Sequence, residues 1–223
     1  MLTSDIKPQE ITPARWPDMR EAGIGCFDAA AAVDRDPVKS QIRLWMEKTG
    51  RHALLQPEQQ TPAKSDTAIH QGICSASYWR RLLEPVVAAH YTLRTGLRVR
   101  RTKSVVRHPR HPWMLAHPGR EVVDCADVQW LECKCVGMAE ASLWQQGLPE
   151  HVRIQMLHRL AITSAKAVDV VALIGGEELR IDRVVRDEVE IARLIDAERE
   201  FWRCVEIDQA PNARGGVMQS QVS

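Results

Sequence analysis

From Gln129 to Val205 the sequence lays down a strand, a helix opened by Leu148-Pro149-Glu150, an apolar strand at Val168 to Ile174, a Gly175-Gly176 turn, a returning strand at Leu179 to Val185 and an amphipathic helix. In that last helix Ile191, Leu194, Ile195, Phe201, Trp202 and Val205 recur near helical spacing, which gives it one apolar face to bury. Strands and helices in this succession bury their apolar faces together when a sheet lies at the centre and helices pack on it. The upstream half fits the same plan. An Ala-rich helix at about Asp28 to Val33 and a second at Ser40 to Thr49 precede a longer helix at Ser75 to Thr95, which closes at Gly96 and carries Pro85, a site for a kink or restart. Short strands then follow at Leu97 to Val106, Trp113 to Ala116, Arg120 to Val123 and Gln129 to Val136. The expectation is an α/β fold with a mixed, mostly antiparallel central sheet flanked by helices.

The 223 residues suffice for one domain, expected over residues 21–206. A Pro-rich arm (Pro8, Pro13, Pro17) occupies 1–20, and a Gly/Ser/Gln tail at 207–223 has the composition of a disordered segment. Residues 56–68 show no periodicity and read as a loop. No run of 18 apolar residues calls for a membrane span, and Met1 to Gln9 lacks the basic and apolar regions of a signal peptide. Six scattered cysteines without a framework spacing point to reduced thiols and a cytoplasmic chain.

Chemistry concentrates at Leu131-Glu132-Cys133-Lys134-Cys135. Side chains two apart on a strand share a face, so Glu132 and Lys134 project together and Cys133 and Cys135 project oppositely. A carboxylate beside an ammonium can hold a divalent cation and orient a water, and the Cys133 carbonyl could add an oxygen ligand. Alone, such a pair is far more often a solvated ion pair. Its surroundings raise the odds. Lys plus Arg (30) and Asp plus Glu (29) balance overall, yet no acid occurs between Glu84 and Glu121, where Arg94, Arg98, Arg100, Arg101, Lys103, Arg107, Arg110 and Arg120 fall. That run would surround the strand with a positive field suited to DNA phosphates, with Arg98, Arg100, Arg101 and Lys103 as DNA-binding candidates.

Read in order, Gly23-Ile24-Gly25-Cys26-Phe27-Asp28, Leu83-Glu84-Pro85, His111-Pro112-Trp113-Met114-Leu115-Ala116, Glu132-Cys133-Lys134, Val152-Arg153-Ile154-Gln155 and Phe201-Trp202 resemble the YqaJ-type viral recombinases. These are relatives of the phage lambda exonuclease within the PD-(D/E)XK, restriction-endonuclease-like nucleases. The resemblance runs from about Met19 to Val205. It implies a Mg²⁺-dependent (Mn²⁺ possible) 5′–3′ exonuclease on double-stranded DNA ends, with a metal-activated water as nucleophile. Glu84, Glu132 and the Cys133 carbonyl correspond to the metal ligands, Glu132, Lys134 and Gln155 to the catalytic set, and Arg20 to a basic residue near the 5′-phosphate. The implied partners are a single-strand annealing protein and further copies of the chain in a homo-oligomer, a trimeric ring by analogy, and no membrane.

Two positions depart from the pattern. Gly119 stands where the family places a metal-binding aspartate, and Phe27 where it places a serine. The bland expectation is that Phe27 simply packs, while the charge of Asp28 beside it opposes a phosphate. Loss of the aspartate keeps a second reading open, a catalytically inactive DNA-binding protein of the same fold.

Overall fold

The apolar run at 167–174 does what a strand buried on both faces must do and takes the middle of a sheet. The computed structural model describes residues 8–11, 23–55, 76–117 and 119–212. In it, β7 (Trp130–Val136) and β8 (Ala167–Ile174) lie side by side in parallel, with Glu132 opposite Val170 and Lys134 opposite Ala172. Seven of the eight β8 residues are buried, which accounts for a strand that is apolar nearly throughout rather than alternating. Helix α4 (Glu150–Ile162) makes the crossover between the two strands. Strand β9 (Glu178–Val185) returns antiparallel to β8, while β6 (Arg120–Val123) and the edge strand β3 (Arg98–Arg101) extend the other side, giving the order β3-β6-β7-β8-β9.

A second, four-stranded sheet was not anticipated as separate. Its order is β1-β4-β5-β2, from β1 (Gln9–Ile11), β4 (Val105–Arg107), β5 (Met114–Ala116) and β2 (Ile24–Gly25), with β2 parallel to β5. The stretch read as one strand at 97–106 is two, one in each sheet. Thr102 breaks it: its N–H donates to the Gly119 carbonyl (2.9 Å) and its hydroxyl accepts from Ser104 N–H (3.1 Å), turning the chain out of the larger sheet. Gly23 leads into β2 at a point where any Cβ would lie 2.6 Å from the Trp113 carbonyl oxygen, so only glycine fits.

The larger sheet buries both faces. On one, Val136, Val168, Val170 and Ala172 pack with α1 (Cys26–Ala32), α4 and α5 (Glu188–Glu206). On the other, Leu131, Val171, Cys133 and Cys135 pack against Val87, Ala88 and Tyr91 of α3 (Ala76–Thr95). Helix α2 (Gln41–Lys48) lies against α1 and α5. Helix α3 continues through Pro85 as one helix, without the restart that was one of the two expectations there. The carbonyl that loses its partner belongs to Arg81, an exposed residue, while Val87, Ala88 and Tyr91 hold the following turns to the sheet. The expected arm and tail fall mostly outside the described residues, as do the loop at 56–68 and residues 213–223. Among the described residues no helix is long and apolar enough to cross a membrane.

Buried polar groups tie the layers. On the α3 face the Tyr91 hydroxyl donates to Asp169 (2.7 Å), whose carboxylate also accepts from Arg183 (2.7 and 3.0 Å). On the other face His158 of α4, fully buried, sets Nδ1 2.8 and 2.9 Å from the Glu198 carboxylate of α5 and Nε2 3.1 Å from the Leu115 carbonyl of β5. A carbonyl only accepts, so Nε2 carries a hydrogen. Burial alone would lower the imidazole pKa, but the Glu198 carboxylate outweighs it and the pKa rises. Glu198→Ala removes that partner and strands a buried imidazole, so urea unfolding should show a loss of about 3–5 kcal/mol. A loss below about 1 kcal/mol, the size of a surface pair, would refute the coupling.

Candidate functional site

Strand alternation and helix periodicity together build one polar cluster inside the protein. Glu132 and Lys134 leave β7 toward α4, and Gln155 and Arg159, one helical turn apart, come down on them from above. Lys134 Nζ donates to Gln155 Oε1 at 2.9 Å and lies 3.2 Å from Glu132 Oε1, while Arg159 Nη2 donates to Glu132 Oε2 at 2.5 Å. Glu132, Gln155 and Arg159 are all buried; the Lys134 side chain keeps 17% of its surface exposed. Burial would raise the Glu132 pKa, but Arg159 first and Lys134 second outweigh it and hold the carboxyl at about 2. Strand β6 accompanies β7 only as far as Leu131, so the cluster begins where the sheet forks.

Helix α1 closes the front. Phe27, expected to pack, is instead 63% exposed, and its ring lies 4.8 Å from Lys134 Nζ in a cation–π contact. Asp28, expected to repel a phosphate, is spoken for: Lys48 (2.7 Å) and Lys39 (3.2 Å) pair with it and, against the opposing effect of burial, lower its pKa. The Cys26 thiol, a weak acceptor, stands against the Arg159 guanidinium. The imidazole of His117 feels Arg159, Arg101 and Glu132, and burial together with those two arginines lowers its pKa.

Glu84 does not join this cluster. It lies on α3, over the opposite face of β7, where Arg120 holds it through two bonds of 2.5 and 2.9 Å. Its charge is felt by the Cys133 and Cys135 thiols; burial, then Glu84 and Glu132, pushes Cys133 up to about 12. Arg98 pairs with Asp124 and Arg100 with Glu121 (2.5 Å), whereas Arg101 and Lys103 meet no carboxylate among the described residues. Arg20 lies outside the described residues. Arg159 and His117 are the members that sequence reasoning missed. The one available signal for Arg159 was its four-residue spacing from Gln155.

A divalent ion between Glu84, Glu132 and the Cys133 carbonyl does not fit this arrangement. The two carboxylates sit on opposite faces, each bonded to an arginine, and no three His, Cys, Asp or Glu side chains converge among the described residues. Gly119, at φ +81°, supplies no ligand beside Leu131. Within this cluster, the buried side-chain atoms with no hydrogen-bond partner among the described residues are Arg159 Nε and Nη1, which are donors and call for an acceptor rather than a cation.

The family model described as the YqaJ-like viral recombinase domain matches residues 15–166. The uncharacterized protein YqaJ of Bacillus subtilis (strain 168) is 30% identical over 199 residues, covering 88% of this chain and 57% of that protein. The chain thus spans little more than half the length of the curated relative it matches. The structure is similar to that of an alkaline exonuclease, LHK-Exo, from Laribacter hongkongensis, with a TM-score of 0.65 and 20% identity over 87% of this chain and 93% of that one. The same enzyme in complex with dAMP gives a TM-score of 0.64 at the same identity and coverage. At that identity the likeness is one of fold, and the fold is the restriction-endonuclease-like one expected from the sequence.

Two outcomes follow from the Arg159–Glu132 pair. A carboxyl held at about 2 stabilises the folded state above its ordinary value of 4.5, and that contribution is lost as the pH falls through about 2. Urea titrations at pH 5 and pH 2.5 should therefore show wild type losing about 2–3 kcal/mol more than Glu132→Gln over that range. Equal losses would refute the pairing. Calorimetric titration of the DNA-free protein with Mn²⁺ should find no saturable site below about 1 mM, with affinity rising roughly 10- to 100-fold in a Gly119→Asp/Arg159→Gln double variant. A tight site in wild type would overturn the fit argument.

Proposed function

The chain belongs to the YqaJ-like viral recombinase domain family, and on that premise we propose that it is a nuclease of the recombination type. It acts on the ends of double-stranded DNA, degrades in the 5′–3′ direction, and leaves the surviving strand to a single-strand annealing protein. By the same family reasoning its working form is a homo-oligomer. The observation that carries this reading is Lys134, whose ammonium is steered by Gln155 and Glu132 to the fork of the sheet behind an exposed Phe27 ring. A lysine fixed in this way can donate to a non-bridging phosphate oxygen and offset charge that builds there during cleavage. Arg101 at the end of β3 and Lys103 just beyond the Thr102 turn add positive charge, and the exposed pairs of Arg98 and Arg100 are weak enough to be exchanged for phosphates. Arg20 joins them by resemblance.

One observation favours a second reading, a DNA-binding protein that does not cut. Glu132 already carries two cations and, at about 2, is a poor base for a water proton at neutral pH. The nuclease reading calls for Mg²⁺ or Mn²⁺, which the residues present do not fit, so its chemistry is drawn from Lys134 and Gln155 alone. A digest of 5′-phosphorylated linear duplex with each ion separates the two. On the first reading 5′-ended strands shorten, and Lys134→Ala slows this by on the order of 10²-fold. On the second, wild type shifts the duplex in a salt-dependent way without shortening it, and Gly119→Asp is the variant in which to look for cutting. Neither cutting nor binding sinks both.

A further inference from the structure

Away from the Lys134 cluster, the turn between β4 and β5 and the C-terminal half of α5 flank an open surface pocket of about 570 Å³, within the size range of small-molecule sites. Arg107, Arg110 and Arg199 line it beside the aromatic surfaces of His111, Trp113 and Trp202. The one acid at its wall, Glu206, is bonded to Arg199 at 3.2 Å. Arg107 Nε is buried with no acceptor among the described residues, an unmet donor at the wall of the pocket. The turn that presents these groups is fixed: His108 Nδ1 accepts the backbone N–H of both Arg110 (3.1 Å) and His111 (3.0 Å). The half-buried ring of His111 leans on Trp113 with centroids 5.7 Å apart, and the buried Trp113 and Trp202 back the wall, so His111 is the ring with surface left for a ligand. None of these residues belongs to the Glu132–Lys134–Gln155 cluster.

We propose that this pocket is a nucleotide-binding site, separate from the Lys134 cluster, in which the three arginines take a phosphate and the His111 ring, backed by Trp113 and Trp202, meets the base. Three guanidiniums against one carboxylate select an anion, and Arg forks match phosphate oxygens. The His111 ring favours a planar group attached to the phosphate, since base–aromatic stacking accepts any base. A free deoxynucleotide and a nucleotide unit of a single strand share this chemistry. The inference does not rest on cleavage.

Calorimetry in EDTA with dAMP, 2′-deoxyadenosine, inorganic phosphate and a ten-residue oligo(dT) tests it without reference to nuclease activity. The expected result is dAMP binding that weakens at least 10-fold in Arg110→Ala and in Arg199→Ala, both exposed positions, and is unchanged in Lys134→Ala. Deoxyadenosine and phosphate alone should each bind at least 10-fold more weakly than dAMP. Oligo(dT) binding tighter than dAMP identifies a strand as the source, and the reverse identifies the free nucleotide. The assignment is overturned if neither dAMP nor oligo(dT) binds, if phosphate alone binds as well as dAMP, or if binding survives both arginine variants and disappears in Lys134→Ala. Melting curves of the variants that match wild type exclude loss of fold as the cause.

Discussion

A carboxylate with almost no access to water has to be matched by a cation inside the protein, and Arg159 does this for Glu132. Leaving either partner alone would cost several kcal/mol, so the pair fixes the distance between β7 and α4 and the rotamer of Glu132 with it. Gln155 and Lys134 are positioned by the same two elements, one turn earlier on the helix and two residues later on the strand. The arginine does in this protein what an ion would otherwise do, neutralising Glu132 and ordering its surroundings. That is why the same cluster can look like a nuclease centre in outline and behave as a closed ion pair in detail.

The two faces of the larger sheet divide the charged residues into independent accounts. On the α4 side lie Glu132, Lys134, Arg159 and, deeper, the His158–Glu198 pair. On the α3 side lie Glu84 with Arg120, and Asp169 with Tyr91 and Arg183. Glu132, Asp169 and Glu198, the buried acids among the described residues, each have their own cation or hydrogen-bond donor, as low-dielectric burial demands. The basic run between Glu84 and Glu121 is correspondingly less of a free field than its sequence implies, because Arg98, Arg100 and Arg120 are matched by Asp124, Glu121 and Glu84.

Local pattern sufficed where local rules decide the outcome. Alternation along Leu131 to Cys135 placed Glu132 and Lys134 on one face, and Pro149 marked the start of the next helix, whereas Gln155 was singled out by the family resemblance alone. The apolar strand at 168–174, its Gly-Gly turn and the amphipathic helix after Asp187 were all legible for the same reason. What could not be read depends on partners distant in sequence. Whether α3 packs on the Glu132 face or the Cys133 face is a matter of tertiary assembly, and it decides where Glu84 points. The break at Thr102 is set by a hydrogen bond to Gly119, and Pro85 is tolerated because the sheet holds the turns beyond it. Arg159 passed unnoticed because a basic residue in the last turn of a helix ordinarily needs no partner beyond the helix dipole.

Strand β1 shows how the first described residues matter to the smaller sheet. Gln9, Glu10 and Ile11 cap the outer edge of β4, residue against residue, with Gln9 opposite Arg107. Recombinant versions trimmed past Ile11 would bare that edge, and an open row of amide and carbonyl groups is a template on which chains pair with one another. Clumping of a shortened preparation would then report a missing border strand rather than an unstable core.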